Sequence, residues 1–188
     1  MEKNVKYTSW SLMLINSIIV ICYFLSEYNV LIIDSLKLDQ NQFPESFASL
    51  FTYSLLHGNI WHLIVNVVLI FSYGKKALTR FDDTASIHVM FIFVWVLSSI
   101  SGALAFMISE DQSTLVGSSA FVFALMSIYN STIGSKYWII FVPIAIAMEY
   151  LLCQFTGFNL AVNAHLGGCI TGSLIAILLR MFDLRHYR

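Results

Sequence analysis

Leu115-Val-Gly-Ser-Ser-Ala-Phe-Val-Phe-Ala-Leu125 joins a glycine and two adjacent hydroxyls to an unbroken apolar run. That order reads as a tight polar lead-in to a helix with no side turned to water, beginning near Ser118. Taken alone, Ser ahead of an apolar helix is the ordinary N-cap, whose hydroxyl accepts a bond from a free backbone N–H of the first turn. Two flanking stretches change that reading. Upstream lies His57-Gly-Asn-Ile-Trp-His62-Leu-Ile-Val-Asn66, and downstream lies Asn163-Ala-His165-Leu-Gly-Gly168-Cys-Ile-Thr-Gly172. Both repeat the pattern of a few imidazoles and amides in apolar surroundings. Such groups are unfavourable there unless paired, and in a membrane they mark function.

The surroundings are apolar throughout. Of 188 residues, 58% are hydrophobic and 11% charged, and the mean hydropathy is +0.76. A soluble domain carries about 25% charged residues, so this chain cannot clothe a water-facing surface and is expected in a lipid bilayer. Its basic residues form no patch, so nothing in the charge points to nucleic acid and no nucleic-acid partner is expected. Cys22, Cys153 and Cys169 sit in apolar runs at unrelated spacings, so they read as small packing residues rather than a disulfide frame or a zinc knuckle. The stretch from Trp10 is long and lacks a small-residue cleavage motif, so the first helix is expected to stay attached.

About 20 apolar residues are needed to cross the hydrocarbon core as a helix. Outward from the central stretch, six segments qualify as spans: 10–26, 47–73, 85–109, 118–133, 137–155 and 160–182. The chain thus reads as an all-α membrane protein, a single six-transmembrane-helix domain over residues 1–188. Lys3, Lys6, Lys75, Lys76, Arg80, Lys136, Arg180, Arg185 and Arg188 all fall on one side of this layout, and Lys37 alone falls on the other. By the positive-inside rule both termini are cytoplasmic. The long connection between the first two spans, with its scattered apolar residues and turn residues Asn41 and Pro44, is expected on the outer membrane face, partly embedded. The absence of an organelle-targeting segment makes the bacterial inner membrane the expected location.

This topology, derived without the polar motifs, brings them to one depth. The second, fourth and sixth spans all enter from outside, so His57 and His62, Ser119, and His165 each fall in the outer half. The fourth span is short, with 16 residues between Gly117 and Gly134, or roughly 24 Å as a helix. Its start is therefore expected below the membrane surface, with water above Ser119. A serine at a helix N-terminus feels the positive dipole end and unpaired N–H groups, which suit a developing oxyanion. An imidazole within reach would take its proton, a nucleophile and base needing no carboxylate. His62 and Asn66, at i and i+4, share one helix face, and Gly168 and Gly172 are spaced to let two membrane helices approach closely.

These motifs resemble those of the rhomboid family of intramembrane serine proteases. The likeness lies in His57, His62 and Asn66 (H-x4-H-x3-N), in Gly117 and Ser119 (G-x-S), and in Ala164, His165, Gly168 and Gly172 (A-H-x-x-G-x-x-x-G), in that order over nearly the whole chain. The resemblance implies a six-helix rhomboid-like bundle in which Ser119 is the nucleophile and His165 the general base. His62, Asn66 and the backbone N–H of Ser119 would form the oxyanion hole. His57 would be a structural histidine, and Phe123 the aromatic that packs on His165. It also implies transmembrane proteins as substrates, with no cofactor and no metal. The chain departs from the family pattern at Ala120, where Gly is common, and near Ala48, Ser49 and Leu78, where a Trp-Arg pair and a Glu are often found. Two other readings stand beside this one: a catalytically silent rhomboid-fold protein that binds transmembrane helices, and a metal-dependent protein using His57, His62 and His165. Glu149, alone in the apolar fifth span, is expected to reach toward water or to pair with a nearby donor.

Overall fold

The computed structural model describes residues 2–28, 33–41, 47–77, 84–108, 114–132, 138–156 and 160–186. The first half contains α1 (Glu2–Glu27), α2 (Ile33–Leu36), β1 (Leu38–Asp39), α3 (Ser49–Thr52) running into a 3-10 turn (Tyr53–Leu55), and α4 (Ile60–Ala77). The second contains α5 (Thr84–Met107), β2 (Thr114–Leu115), α6 (Ser119–Thr132), α7 (Trp138–Thr156) and α8 (Val162–His186). Helices α1, α5 and α8 each hold an apolar stretch long enough to cross a bilayer: Trp10–Glu27, His88–Met107 and Val162–Met181. The expected span ends at 109, 133 and 137, the apolar residues Val30, Leu31 and Ile32, and Pro44 and Leu78 lie outside the described residues.

One expected element is corrected. The stretch 47–73 is not a single straight span. Taken together, Ser49–Leu55 and α4 are long and apolar enough to cross a bilayer, but they are bent by 97° across a short break. Leu56 turns extended, at φ −93° and ψ 153°. Asn59 then restarts the helix by accepting the His62 N–H on its side-chain oxygen at 2.9 Å, an N-cap satisfying one otherwise orphaned donor. His57 accordingly lies in the break rather than on a helix, while His62 sits in the first turn of α4. Counting apolar residues runs straight through such a bend, because both arms are apolar.

Helix α6 is the centre of the molecule. It has 14 residues, about 21 Å of rise at ~1.5 Å per residue, and Ala120, Phe121, Val122, Ala124, Leu125 and Ile128 along it are all buried. The short helix is enclosed by α4, α5 and α8, with Phe121 packed edge-on against Phe91 of α5. Helix α8 fits between α5 and α6 because its glycines lack side chains where the backbones touch. A Cβ at Gly167 would strike the Ser101 carbonyl of α5, while one at Gly168 or Gly172 would strike the backbone of Ala120 or Ala124 in α6. Ser101 Oγ ties this crossing with bonds to the Gly167 carbonyl (3.0 Å) and to Thr171 Oγ1 (2.6 Å).

The long first connection is more ordered in its described part than its composition suggests. β1 pairs antiparallel with β2, Leu38 opposite Leu115 and Asp39 opposite Thr114. Leu38 is buried in a small second core with Leu50, Tyr53, Phe106, Leu115 and Ala164. Gln40 Nε2 donates to the Phe106 carbonyl at 2.9 Å, and Thr52 Oγ1 to the Leu36 carbonyl at 2.8 Å. This cap fixes the segment that leads directly into α6.

Candidate functional site

The chain reaches α6 through Gly117, whose φ of +121° is a conformation that side chains rarely adopt. The imidazole of His62 lies where a Cβ would stand, its Cε1 2.6 Å from that position. The Gly117 N–H donates to the Tyr53 carbonyl at 3.0 Å, and the Tyr53 hydroxyl donates to the Ser99 carbonyl of α5 at 2.9 Å. Tyr53 thus clamps the turn from behind. The Ser118 carbonyl accepts the Val122 N–H at 3.2 Å, which makes Ser118 the cap and Ser119 the first residue of the helix proper.

The two adjacent hydroxyls diverge from that turn. Ser118 is fully buried, and its Oγ lies 3.2 Å from His57 Nε2. Ser119 is partly exposed, and its Oγ lies 2.7 Å from His165 Nε2. His165 stands in the first turn of α8, and Gly168 and Gly172 at i+3 and i+7 share its face. The residues that bring the α8 backbone onto α6 thus lie in line with the imidazole that reaches Ser119. Phe123, one turn into α6, stacks on the His165 ring at 4.5 Å with planes 13° apart.

The other edge of the imidazole carries a carboxylate. Glu149 of α7 places Oε1 2.5 Å from His165 Nδ1, with side-chain exposures of 12% for Glu149 and 8% for His165. Glu149 Oε2 is buried and has no hydrogen-bond partner among the described residues. Sequence spacing pointed to a serine and an imidazole without a carboxylate, yet here a carboxylate bonds the ring. Nothing in the local pattern ties Glu149 to His165. The available signal was a lone carboxylate in an apolar helix, which needs a donor from another element.

His62 of α4 stands against Gly117 of the turn, with Asn66 one helical turn further along α4. The His62 ring lies edge-on to that of His57, 5.0 Å away. Asn66 is buried, and its Nδ2 donates to the His62 carbonyl one turn earlier at 2.9 Å, which uses one of its two N–H groups. Ser118 and Tyr53 were not singled out by sequence, because a hydroxyl beside the site and an aromatic in a broken helix carry no spacing signature. Among the described residues, no group of three or more His, Cys, Asp or Glu is placed to hold a metal ion. Chemically, the arrangement is a hydroxyl bonded to an imidazole bonded to a carboxylate, at a helix N-terminus whose dipole favours negative charge.

The sequence profile of the Rhomboid domain matches residues 44–182. The chain belongs to the rhomboid family. The match runs from ahead of α3 into α8, so every residue of the rhomboid site just described falls inside it, while α1 and β1 precede it. The rhomboid domain is a helical membrane fold, which fits the apolar helices here and makes this an integral membrane protein. A comparison with curated protein sequences finds no match.

Proposed function

We propose that this rhomboid is a serine endopeptidase that hydrolyses peptide bonds in or beside the transmembrane segments of other membrane proteins. One observation carries the reading: the 2.7 Å approach of Ser119 Oγ to His165 Nε2 at the first residue of α6. Ser119 attacks the scissile carbonyl carbon as Nε2 takes the hydroxyl proton, forming a tetrahedral oxyanion. The backbone N–H of Ser119, with donors from His62 and Asn66, stabilises that charge where the helix dipole already favours it. His165 then gives the proton to the departing amine, leaving an acyl-enzyme. Water, activated by the same imidazole, releases the carboxylate product. Gly117 makes room for His62, Phe123 holds the His165 ring in plane, Gly168 and Gly172 let α8 approach, and His57 supports the turn through Ser118.

The same reading takes the chain as one domain of six spans with both termini cytoplasmic, in a bacterial inner membrane. The short α6 supports it, since a helix of about 21 Å starting at Ser119 leaves its N-terminus below the surface of a ~30 Å core, within reach of water. The deciding experiment is labelling of the detergent-solubilised protein with a serine-directed fluorophosphonate. Labelling that disappears in Ser119→Ala is expected. A wild-type protein that takes no label and cleaves no transmembrane substrate overturns the reading in favour of a silent rhomboid-fold binder of transmembrane helices.

A further inference from the structure

We infer that Glu149 is the positioning carboxylate of this site, holding His165 in the one tautomer and ring orientation that can accept the proton of Ser119. The inference rests on the serine-protease reading and extends it from two residues to three. It also makes completion of the site depend on α7.

The imidazole must satisfy two conditions before it can act as a base: Nε2 must face Ser119, and Nε2 must be the nitrogen without a proton. Stacking on Phe123 meets neither. A ring turned over by 180° about Cβ–Cγ stacks its opposite face on Phe123 in the same plane and at the same spacing, but exchanges the nitrogen and carbon positions at its edges. Only bonds at the ring edges distinguish the two orientations, and those bonds are to Ser119 Oγ and Glu149 Oε1. An ionised carboxylate accepts hydrogen bonds and donates none, so its partner Nδ1 must carry the proton and Nε2 is left with its lone pair toward the serine. When the proton of Ser119 moves to Nε2, the imidazolium formed lies against a negative charge in surroundings of low dielectric, where the attraction is strongest.

The position of Glu149 fits this role better than a packing role. It sits in the apolar helix Trp138–Thr156, where an unpaired carboxylate is unfavourable. Its bond to His165 is the compensation its burial receives among the described residues, since Oε2 has none. The three groups come from three helices: α6 supplies Ser119, α8 supplies His165 and α7 supplies Glu149.

The test uses the full-length protein in detergent, with Glu149→Gln, Glu149→Asp and Ser119→Ala beside wild type. Three measurements are taken: the fluorophosphonate inactivation rate, kcat and KM on a transmembrane substrate, and the 15N spectrum of histidine-labelled protein with His165 assigned by difference. In the wild type, His165 is expected as the Nδ1–H tautomer. Glu149→Gln loses the charge and can turn an N–H toward Nδ1, so the inactivation rate and kcat should fall by about 10²- to 10⁴-fold, with KM little changed and the tautomer shifted. Glu149→Asp keeps the charge and should recover part of the rate. Glu149→Gln reacting at the wild-type rate overturns the inference, as does an Nε2–H tautomer in the wild type, a result that needs no variant to fold. Wild-type protein inert to the probe instead sinks the protease reading, and the tautomer still decides the role of Glu149.

Discussion

Helices α7 and α8 both bring a side chain to the imidazole edge of the site, but they are held in opposite ways. Helix α8 is locked between α5 and α6 by backbone contact at Gly167, Gly168 and Gly172, with Ala164, His165, Cys169, Thr171, Ile175 and Ala176 buried along it. Helix α7 has no fully buried side chain among those described. Met148 is 66% exposed and Phe155 86% exposed, and Pro143 inside the helix removes a backbone hydrogen bond. The difference separates two tasks. The seam of α6 and α8 must keep Ser119 and His165 at hydrogen-bond distance. Helix α7 must yield if a substrate helix is to come to the site from the side, and Glu149 is its one described polar tie to that site.

Removing the chemistry from the seam should give the largest effect. Ser119→Ala and His165→Ala are each expected to lower cleavage of a transmembrane substrate by about 10⁴-fold or more, with the double variant no worse than either single, because the pair acts as one unit. Melting of the purified proteins should be nearly unchanged. Substantial turnover by purified Ser119→Ala would remove it from the nucleophile's role.

Next come the donors across from the seam. Truncating His62 or Asn66 to Ala should reduce kcat by about 10- to 1000-fold for each donor lost. The rate of substrate cleavage at saturating substrate is the measurement. If both variants keep wild-type kcat, neither contributes to oxyanion binding, and Asn66 is then just the residue that bonds the His62 carbonyl.

A further substitution attacks the seam through its backbone. Gly168→Val places atoms against the Ala120 carbonyl, where no flexible side chain can move aside. The expected cost is about 1–3 kcal/mol of stability, read as earlier melting in detergent. A displacement of about 1 Å between Ser119 and His165 is worth roughly 10² in rate. A variant that melts and cleaves like the wild type would show that the close approach of α6 and α8 is not what sets the 2.7 Å bond.

The comparison also explains what could be read from sequence. Helical periodicity fixes which residues share a face, so His62 with Asn66, and His165 with Gly168 and Gly172, were legible as sets from spacing alone. Spacing also marked Gly117 before Ser119, and the structure adds the reason, since a positive φ and the His62 ring both exclude a side chain there. The bend before Ile60 was less legible, although His57-Gly58-Asn59 carries a turn and a cap, because apolar length continued on both sides. The β1–β2 ladder has two residues per strand, too few for an alternating pattern. Glu149 was visible as an anomaly, but its partner was not. It depends on where α7 sits beside α8, and the exposed, apolar composition of α7 specifies that seat only weakly.

The smallest effect, and the sharpest test of the contrast, is expected on the outward face of α7. Phe155 and Met148 touch little, so truncating either to Ala should change melting by no more than surface substitutions usually do, about 0.5 kcal/mol. If α7 must yield for a substrate helix to reach Ser119, a slightly looser α7 should raise cleavage of an embedded substrate by roughly twofold, the rate equivalent of that energy. A short soluble substrate or the fluorophosphonate, arriving through water, should react as before. Tying the Ile60 end of α4 to the Thr156 end of α7 through engineered cysteines and a bifunctional maleimide should do the reverse, slowing only the embedded substrate. The direction of these paired changes carries the meaning. Equal shifts for both substrates would place the effect on Glu149 and the imidazole rather than on access, because a displaced carboxylate weakens the base whatever it acts on. No shift for either would mean that α7 is as fixed as α8, and that exposure to lipid alone does not make a membrane helix free to move.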